Sequence, residues 1–216
     1  MKIKKINRMV VKIGSSLLID KDKGVNNNFL NNISEDIVSL KKGGIETLIV
    51  SSGAIELGKI ELNKTKEKFN LSESQAASSI GQIKLINAWK DSLGKFDLNA
   101  AQILITAEDT ENRKRFLNAR STIEELMREK YIPIINENDT VATSEIRYGD
   151  NDRLAARIAG MVTADCLILL SNVEGLYEKD PFNEESRLVN NVETIDKRIT
   201  DMAGEAGELG LSLIHI

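Results

Sequence analysis

Two hydrophobic periods alternate along the chain. Continuous apolar runs recur at Met9–Ile13, Thr47–Val50, Gln102–Ile105, Ile132–Ile135 and Cys166–Leu170. Each has the length and β-branched content of a buried strand. Between them, apolar residues return every three or four positions, which is the helical spacing. Phe29, Leu30, Ile33, Ile37 and Leu40 mark one helix, closed by Gly43-Gly44. A longer one spans Ser72 to Leu93, with Ala76, Ala77, Ile80, Ile83, Ile86 and Trp89 as its expected buried stripe. Glu108–Lys130 reads as mostly helical, Leu154–Ala159 as a good helix former, and Thr194–Ala203 as a last helical segment. Lys59–Lys68 reads as an exposed charged loop, and Leu188-Val189 as the start of a short strand. This alternation predicts an α/β fold, a three-layer αβα sandwich around a central, mostly parallel sheet. Its crossovers are expected to be right-handed.

The polar residues are not spread evenly; they gather just after the strands. Lys12 precedes Gly14-Ser15-Ser16 at the end of the first strand. A lysine beside a glycine turn suits a phosphate, because the backbone can approach closely and its N–H groups can form an anion nest. A lysine snorkelling to solvent is the alternative, and Gly-x-x-x-x-Gly-Lys-Ser/Thr is absent. The second strand runs into Ser51-Ser52-Gly53-Ala54 and a short apolar segment, a second turn whose helix could receive an anion. Asn136, Glu137, Asn138 and Asp139 crowd the tip of the Ile132–Ile135 strand. Gly149-Asp150-Asn151-Asp152 then leads into the Leu154 helix, which one of these side chains can cap. Ligands in open α/β sheets sit beyond the carboxyl ends of strands, where these clusters fall. Carboxylates and amides there suit a small zwitterion; Asn and Asp also make turns and caps with no ligand at all.

Composition narrows the chemistry. With 216 residues the chain can build one α/β domain with a substantial core. A net charge of −4 argues against a general nucleic-acid binder, and Asn112-Arg113-Lys114-Arg115 reads as a solvated helix face or a subunit interface. The single cysteine, Cys166, excludes an internal disulfide. The single histidine, His215, leaves no Ser-His-Asp or Cys-His group and no His-ligated zinc site. No apolar run is long enough to span a bilayer, and the N-terminus lacks the apolar core of a secretory signal. A cytoplasmic enzyme or binding domain, with no membrane or nucleic-acid partner, is the expectation.

Several segments, in order, then resemble the amino-acid kinase family. They are Val10-Val11-Lys12-Ile13-Gly14-Ser15-Ser16, Ser52-Gly53-Ala54-Ile55, Arg115-Phe116-Leu117-Asn118-Ala119-Arg120, Ile135-Asn136-Glu137-Asn138-Asp139, Gly149-Asp150-Asn151-Asp152, and Gly175-Leu176-Tyr177 with Asp180-Pro181. The first and last are shared across the family; the Asn-Glu-Asn-Asp, Gly-Asp-Asn-Asp and Phe-Leu-Asn-Ala-Arg pieces are particular to members that phosphorylate glutamate. The resemblance implies transfer of a phosphoryl group from ATP to the side-chain carboxylate of L-glutamate, the first step of proline synthesis, with Mg²⁺ carried on the ATP phosphates. It implies that Lys12 contacts those phosphates and that Asp152 aligns active-site lysines. Gly14, Ser171 and Asn172 would meet the nucleotide, while Ser52, Gly53, Asn136, Asp139, Asp150 and Asn151 would hold glutamate. A homo-oligomer and feedback inhibition by proline are further family expectations. Alternatives are a sibling kinase acting on N-acetylglutamate or aspartate, or a silent ligand-binding domain. The family's next segment, Gly-Thr-Gly-Gly-Met and a following lysine, falls where this chain reads Gly207-Glu208-Leu209-Gly210. The expectation is therefore a kinase domain over residues 1–210 that is incomplete at its C-terminus, followed by a non-family apolar tail at 211–216 and without the RNA-binding-like domain of some relatives.

Overall fold

The computed structural model describes residues 5–20, 23–142, 150–179 and 186–202, with the side chain of Asp150 outside the description. In chain order the elements are β1 (Arg8–Ile13), α1 (Ser15–Leu18), β2 (Ile19–Asp20), β3 (Gly24–Val25), α2 (Asn27–Lys42), β4 (Glu46–Ser51), α3 (Ala54–Glu61) and α4 (Leu71–Gly94). They continue with β5 (Asn99–Ile105), α5 (Ala107–Glu111), α6 (Arg113–Arg128), β6 (Tyr131–Glu137), α7 (Asp150–Met161), β7 (Cys166–Leu170) and α8 (Lys197–Asp201). Among the described residues, five strands form one sheet in the order β5-β6-β4-β1-β7, and every pairing in it is parallel. β2 and β3 form a small separate antiparallel pair.

Strand alternation divides the core in two. Met9, Val11 and Ile13 of β1 join Ile49, Ile132 and Ile134 against Leu30 and Ile37 of α2, Leu57 of α3, and Leu85 and Trp89 of α4. Val10 joins Leu48, Val50 and Ile135 on the other face, against Ile123 of α6 and Leu154, Ala155 and Ile158 of α7. The layers are thus helices, sheet, helices, as the pattern of apolar runs predicts. Apolar runs without alternation fit strands that are covered on both faces.

Three expectations need correction. The buried line of α4 follows the apolar stripe only in part: Ala77 and Trp89 are buried and Ile86 packs on the core, but Ile83 is 64% exposed and Ile80 is also exposed, and Ser78, Gly81, Gln82 and Leu85 are buried instead. The cause is a close crossing with α3. A Cβ on Gly81 would fall 1.8 Å from the Ala54 carbonyl oxygen, and one on Gly58 equally close to that of Ala77. Only small residues permit such backbone contact, so hydrophobicity identifies the inward face only in part. Second, Glu108–Lys130 is two helices; Asn112 ends α5 and caps α6, its side chain accepting from the N–H groups of Lys114 and Arg115. Third, Lys59–Glu61 belongs to α3, and the last helical segment covers only Lys197–Asp201 within the described residues. Leu188 meets Tyr177 in a single antiparallel bridge. Gly149, Asp180-Pro181, Gly204–Gly210, His215 and the 211–216 tail lie outside the described residues.

Candidate functional site

Because the sheet is parallel, the ends of β1, β4, β6 and β7 open onto one rim, and the start of α7 reaches the same place. Alternation decides where Lys12 points. It shares the face of Val10, toward α7, while Ile13 faces α2 and α4. Asp152 lies in the first turn of α7, and its Oδ1 is 2.6 Å from Lys12 Nζ. Both side chains are buried, 4% and 1% exposed. A buried ion pair is held by mutual attraction in a poorly screened setting, and removing one member leaves the other charge stranded, a loss of about 3–5 kcal/mol.

The residue after β1, Gly14, ties this strand to β7. Its N–H donates to the Leu170 carbonyl at 3.1 Å, which brings Ser171 and Asn172 to the same rim. Ser171 donates to Asn172 Oδ1 at 3.3 Å. The Gly14 N–H is therefore committed within the fold. What the glycine contributes is space, since a Cβ there would sit 3.7 Å from Lys12 Nζ.

β4 ends in Ser51, which accepts a hydrogen bond from Trp89 Nε1 at 2.9 Å. This contact explains why Trp89 is core, as the sequence suggests, and how α4 braces the strand end. The Ser52 N–H donates to the Ile13 carbonyl at 3.1 Å, so the first two strand ends lie side by side. Gly53 then turns into α3 with φ +107°, a left-handed conformation. A Cβ at that point would also approach Ile19 Cγ1 to 3.0 Å.

The end of β6 carries the amide and acid cluster. Asn136 and Asp139 are buried. The Glu137 N–H donates to Asn136 Oδ1 at 2.9 Å, and Asn136 Nδ2 donates to Gln82 Oε1 at 2.8 Å. Ser78, one turn before Gln82 on α4, donates to Asp139 Oδ2. Asn151 on α7 closes the group, its Nδ2 lying 2.8 Å from Ser52 Oγ and 3.3 Å from Asn136 Oδ1. A cavity of about 300 Å³ adjoins the cluster between α4 and β5, with Asp139, Gln82, Ile86 and Leu104 among its lining residues.

Lys12, Gly14, Ser52, Gly53, Asn136, Asp139, Asn151, Asp152, Ser171 and Asn172 thus occupy one rim; Asp150 begins α7, its side chain outside the description. The cation–carboxylate pair stands over the β1 end, and the amide–acid cluster over the β4 and β6 ends. Ser78 and Gln82 escaped the sequence reading. Their signal was present as two polar residues four apart on one helix, beside a glycine, where an apolar stripe would be expected. Such an arrangement can hold an anion next to a fixed positive charge and a polar ligand beside it.

Residues 7–215 match the model of the amino acid kinase family. Proteins named glutamate 5-kinase from Brucella ovis, Brucella canis and Brucella suis are each 53% identical to the chain over 206 residues, covering 95% of it. The same alignments cover 54% of those proteins, so the chain spans about half the length of the curated relatives it matches.

Proposed function

The chain belongs to the amino acid kinase family, and from that premise we propose that its site serves phosphoryl transfer from ATP to the side-chain carboxylate of L-glutamate. The products are glutamyl 5-phosphate and ADP, and the reaction opens proline synthesis. The observation that carries this reading is the adjacency on one rim of the buried Lys12–Asp152 pair and the Ser52–Asn151–Asn136 cluster. The names of the relatives point the same way.

Such a transfer asks a protein for in-line positioning and for positive charge near the moving group. Lys12 supplies the charge, held by Asp152 at a fixed point beside Gly14. Burial strengthens its field, and fixing it beforehand removes reorganisation from the reaction step. Asp152 is an orienting residue in this reading. The nucleophile is a carboxylate, already ionised at neutral pH, and needs no general base. Ser171 and Asn172, joined to Gly14 through Leu170, line the nucleotide side. Ser52, Gly53, Asn136, Asp139, Asp150 and Asn151 hold glutamate in this reading, with Asp139 toward its ammonium group.

The described residues contain no cluster of three or more His, Cys, Asp or Glu side chains placed to hold a metal. In this reading Mg²⁺ travels on the ATP phosphates with water completing its shell, and would offset phosphate charge there. A cytoplasmic setting, a homo-oligomer and proline as feedback inhibitor accompany the same reading.

The test is a coupled ADP-release assay across L-glutamate, N-acetyl-L-glutamate and L-aspartate, paired with calorimetric titration of each acid and of MgATP. L-Glutamate is expected to bind and to be the preferred acceptor. Turnover or binding of N-acetyl-L-glutamate without L-glutamate would overturn the proposal.

A further inference from the structure

Three carboxamides and one serine cross the rim in a line: Gln82 on α4, Asn136 at the end of β6, Asn151 at the start of α7, and Ser52 after β4. A carboxamide offers a donor at one end and an acceptor at the other, so a line of them has a direction that some fixed group must set. Here that group is the Glu137 backbone N–H, which can only donate and lies 2.9 Å from Asn136 Oδ1. With its acceptor end so held, Asn136 must turn Nδ2 outward to α4, where Gln82 Oε1 accepts it at 2.8 Å. Asn136 Oδ1 also faces Asn151 Nδ2 at 3.3 Å, and the same Nδ2 reaches Ser52 Oγ at 2.8 Å. The opposite end of Asn151 is then an acceptor. Its Oδ1 is buried and has no hydrogen-bond partner among the described residues.

A buried carbonyl oxygen without a donor is unfavourable and is normally met by one. In a cluster that also holds the buried Asp139 carboxylate, a charged amine is a donor that fits. We infer that Gln82 is a positioning residue which, together with the Glu137 N–H, holds this amide line in one direction, so that Asn151 presents an acceptor and the site selects acids bearing a free, unacylated amine. Gln82 itself touches no substrate; it acts through Asn136 and Asn151. Its own placement is firm, because the preceding residue, Gly81, is pressed against the backbone of α3. If Gln82 lost its acceptor, the buried Nδ2 of Asn136 would be left without its partner, Asn136 would be held at one end only, and Asn151, which donates to it, would loosen with it. The identity of the acid rests on the glutamate reading above; the direction of the line does not.

Gln82→Met removes the acceptor at similar volume, and Gln82→Glu retains it. Each variant is titrated with L-glutamate and with N-acetyl-L-glutamate, and the side-chain amide signals of Asn136 and Asn151 are followed by NMR. Wild type and Gln82→Glu are expected to favour the free amine by about tenfold or more and to show slowly exchanging Asn136 and Asn151 amide protons. Gln82→Met is expected to lose most of that preference and to exchange those protons faster. A simple packing role would weaken both acids alike and would not be rescued by Glu. Retention of both signatures in Gln82→Met, or loss of the preference in a folded Gln82→Glu, overturns the inference. If wild type binds neither acid, the glutamate reading falls, and the amide signals still decide the line: unchanged in Gln82→Met, they refute it.

Discussion

Two glycine turns stand side by side on the rim, and they look alike in the sequence. Gly14 follows β1 and Gly53 follows β4; each separates a strand from a helix and sits next to a serine. Their physical demands differ. Gly53 holds a left-handed conformation and faces Ile19, so its lack of a side chain is required by the fold. Gly14 has φ −70° and ψ 152°, open to any residue, and a Cβ there would meet only ordinary contacts of 3.5 Å or more. Its smallness matters to whatever approaches Lys12. A glycine after a strand can therefore serve the backbone or the ligand, and only geometry tells which.

This contrast gives a graded set of expectations. Gly53→Ala should destabilise the protein by about 1–3 kcal/mol through forced backbone strain, read as a lower midpoint in urea unfolding. Gly14→Ala should leave that midpoint within about 0.5 kcal/mol of wild type and weaken MgATP binding roughly tenfold, read by calorimetry. Equal loss of stability in the two variants would erase the distinction.

The smallest effect lies at the opposite rim, where no ligand is proposed. The N–H groups of Asn7 and Arg8 donate to the Asp165 carboxylate and hold its pKa below the usual value, with some opposition from burial. A depressed carboxylate stabilises the fold above its unfolded pKa of about 3.9 and stops doing so as pH falls through the lower folded value. Asp165→Asn should accordingly lower the melting temperature at neutral pH, converge with wild type in acid, and leave ligand titrations unchanged. A changed glutamate or MgATP isotherm in this variant would show that the two rims are not independent.

Much of this was legible beforehand, for a definite reason. Strands covered on both faces, such as Ile132–Ile135 and Cys166–Leu170, must be continuous apolar runs. Polar residues packed after them, such as Asn136–Asp139, have few places to go except the strand ends. The order β5-β6-β4-β1-β7 was not legible, because it depends on pairings between distant segments. The inward face of α4 was legible only in part, at Ala77 and Trp89, since Ser78, Gly81 and Gln82 are buried for close approach and hydrogen bonding rather than for hydrophobicity. The break at Asn112 was available as a capping signal inside a charged stretch that otherwise reads as one helix. The nearness of Lys12 and Asp152 combines a strand's alternation with a helix start 140 residues later. Neither segment alone carries it.

The central claim is that Asp152 orients the charge of Lys12 for transfer and does not itself hold the acid. Its most direct test compares Asp152→Asn with wild type in turnover and in the affinity for L-glutamate, measured on the same preparations. The account predicts a fall in turnover of about 10²–10³-fold with the glutamate dissociation constant nearly unchanged. A dissociation constant that rises as far as turnover falls would place Asp152 in ordinary substrate binding and contradict the account.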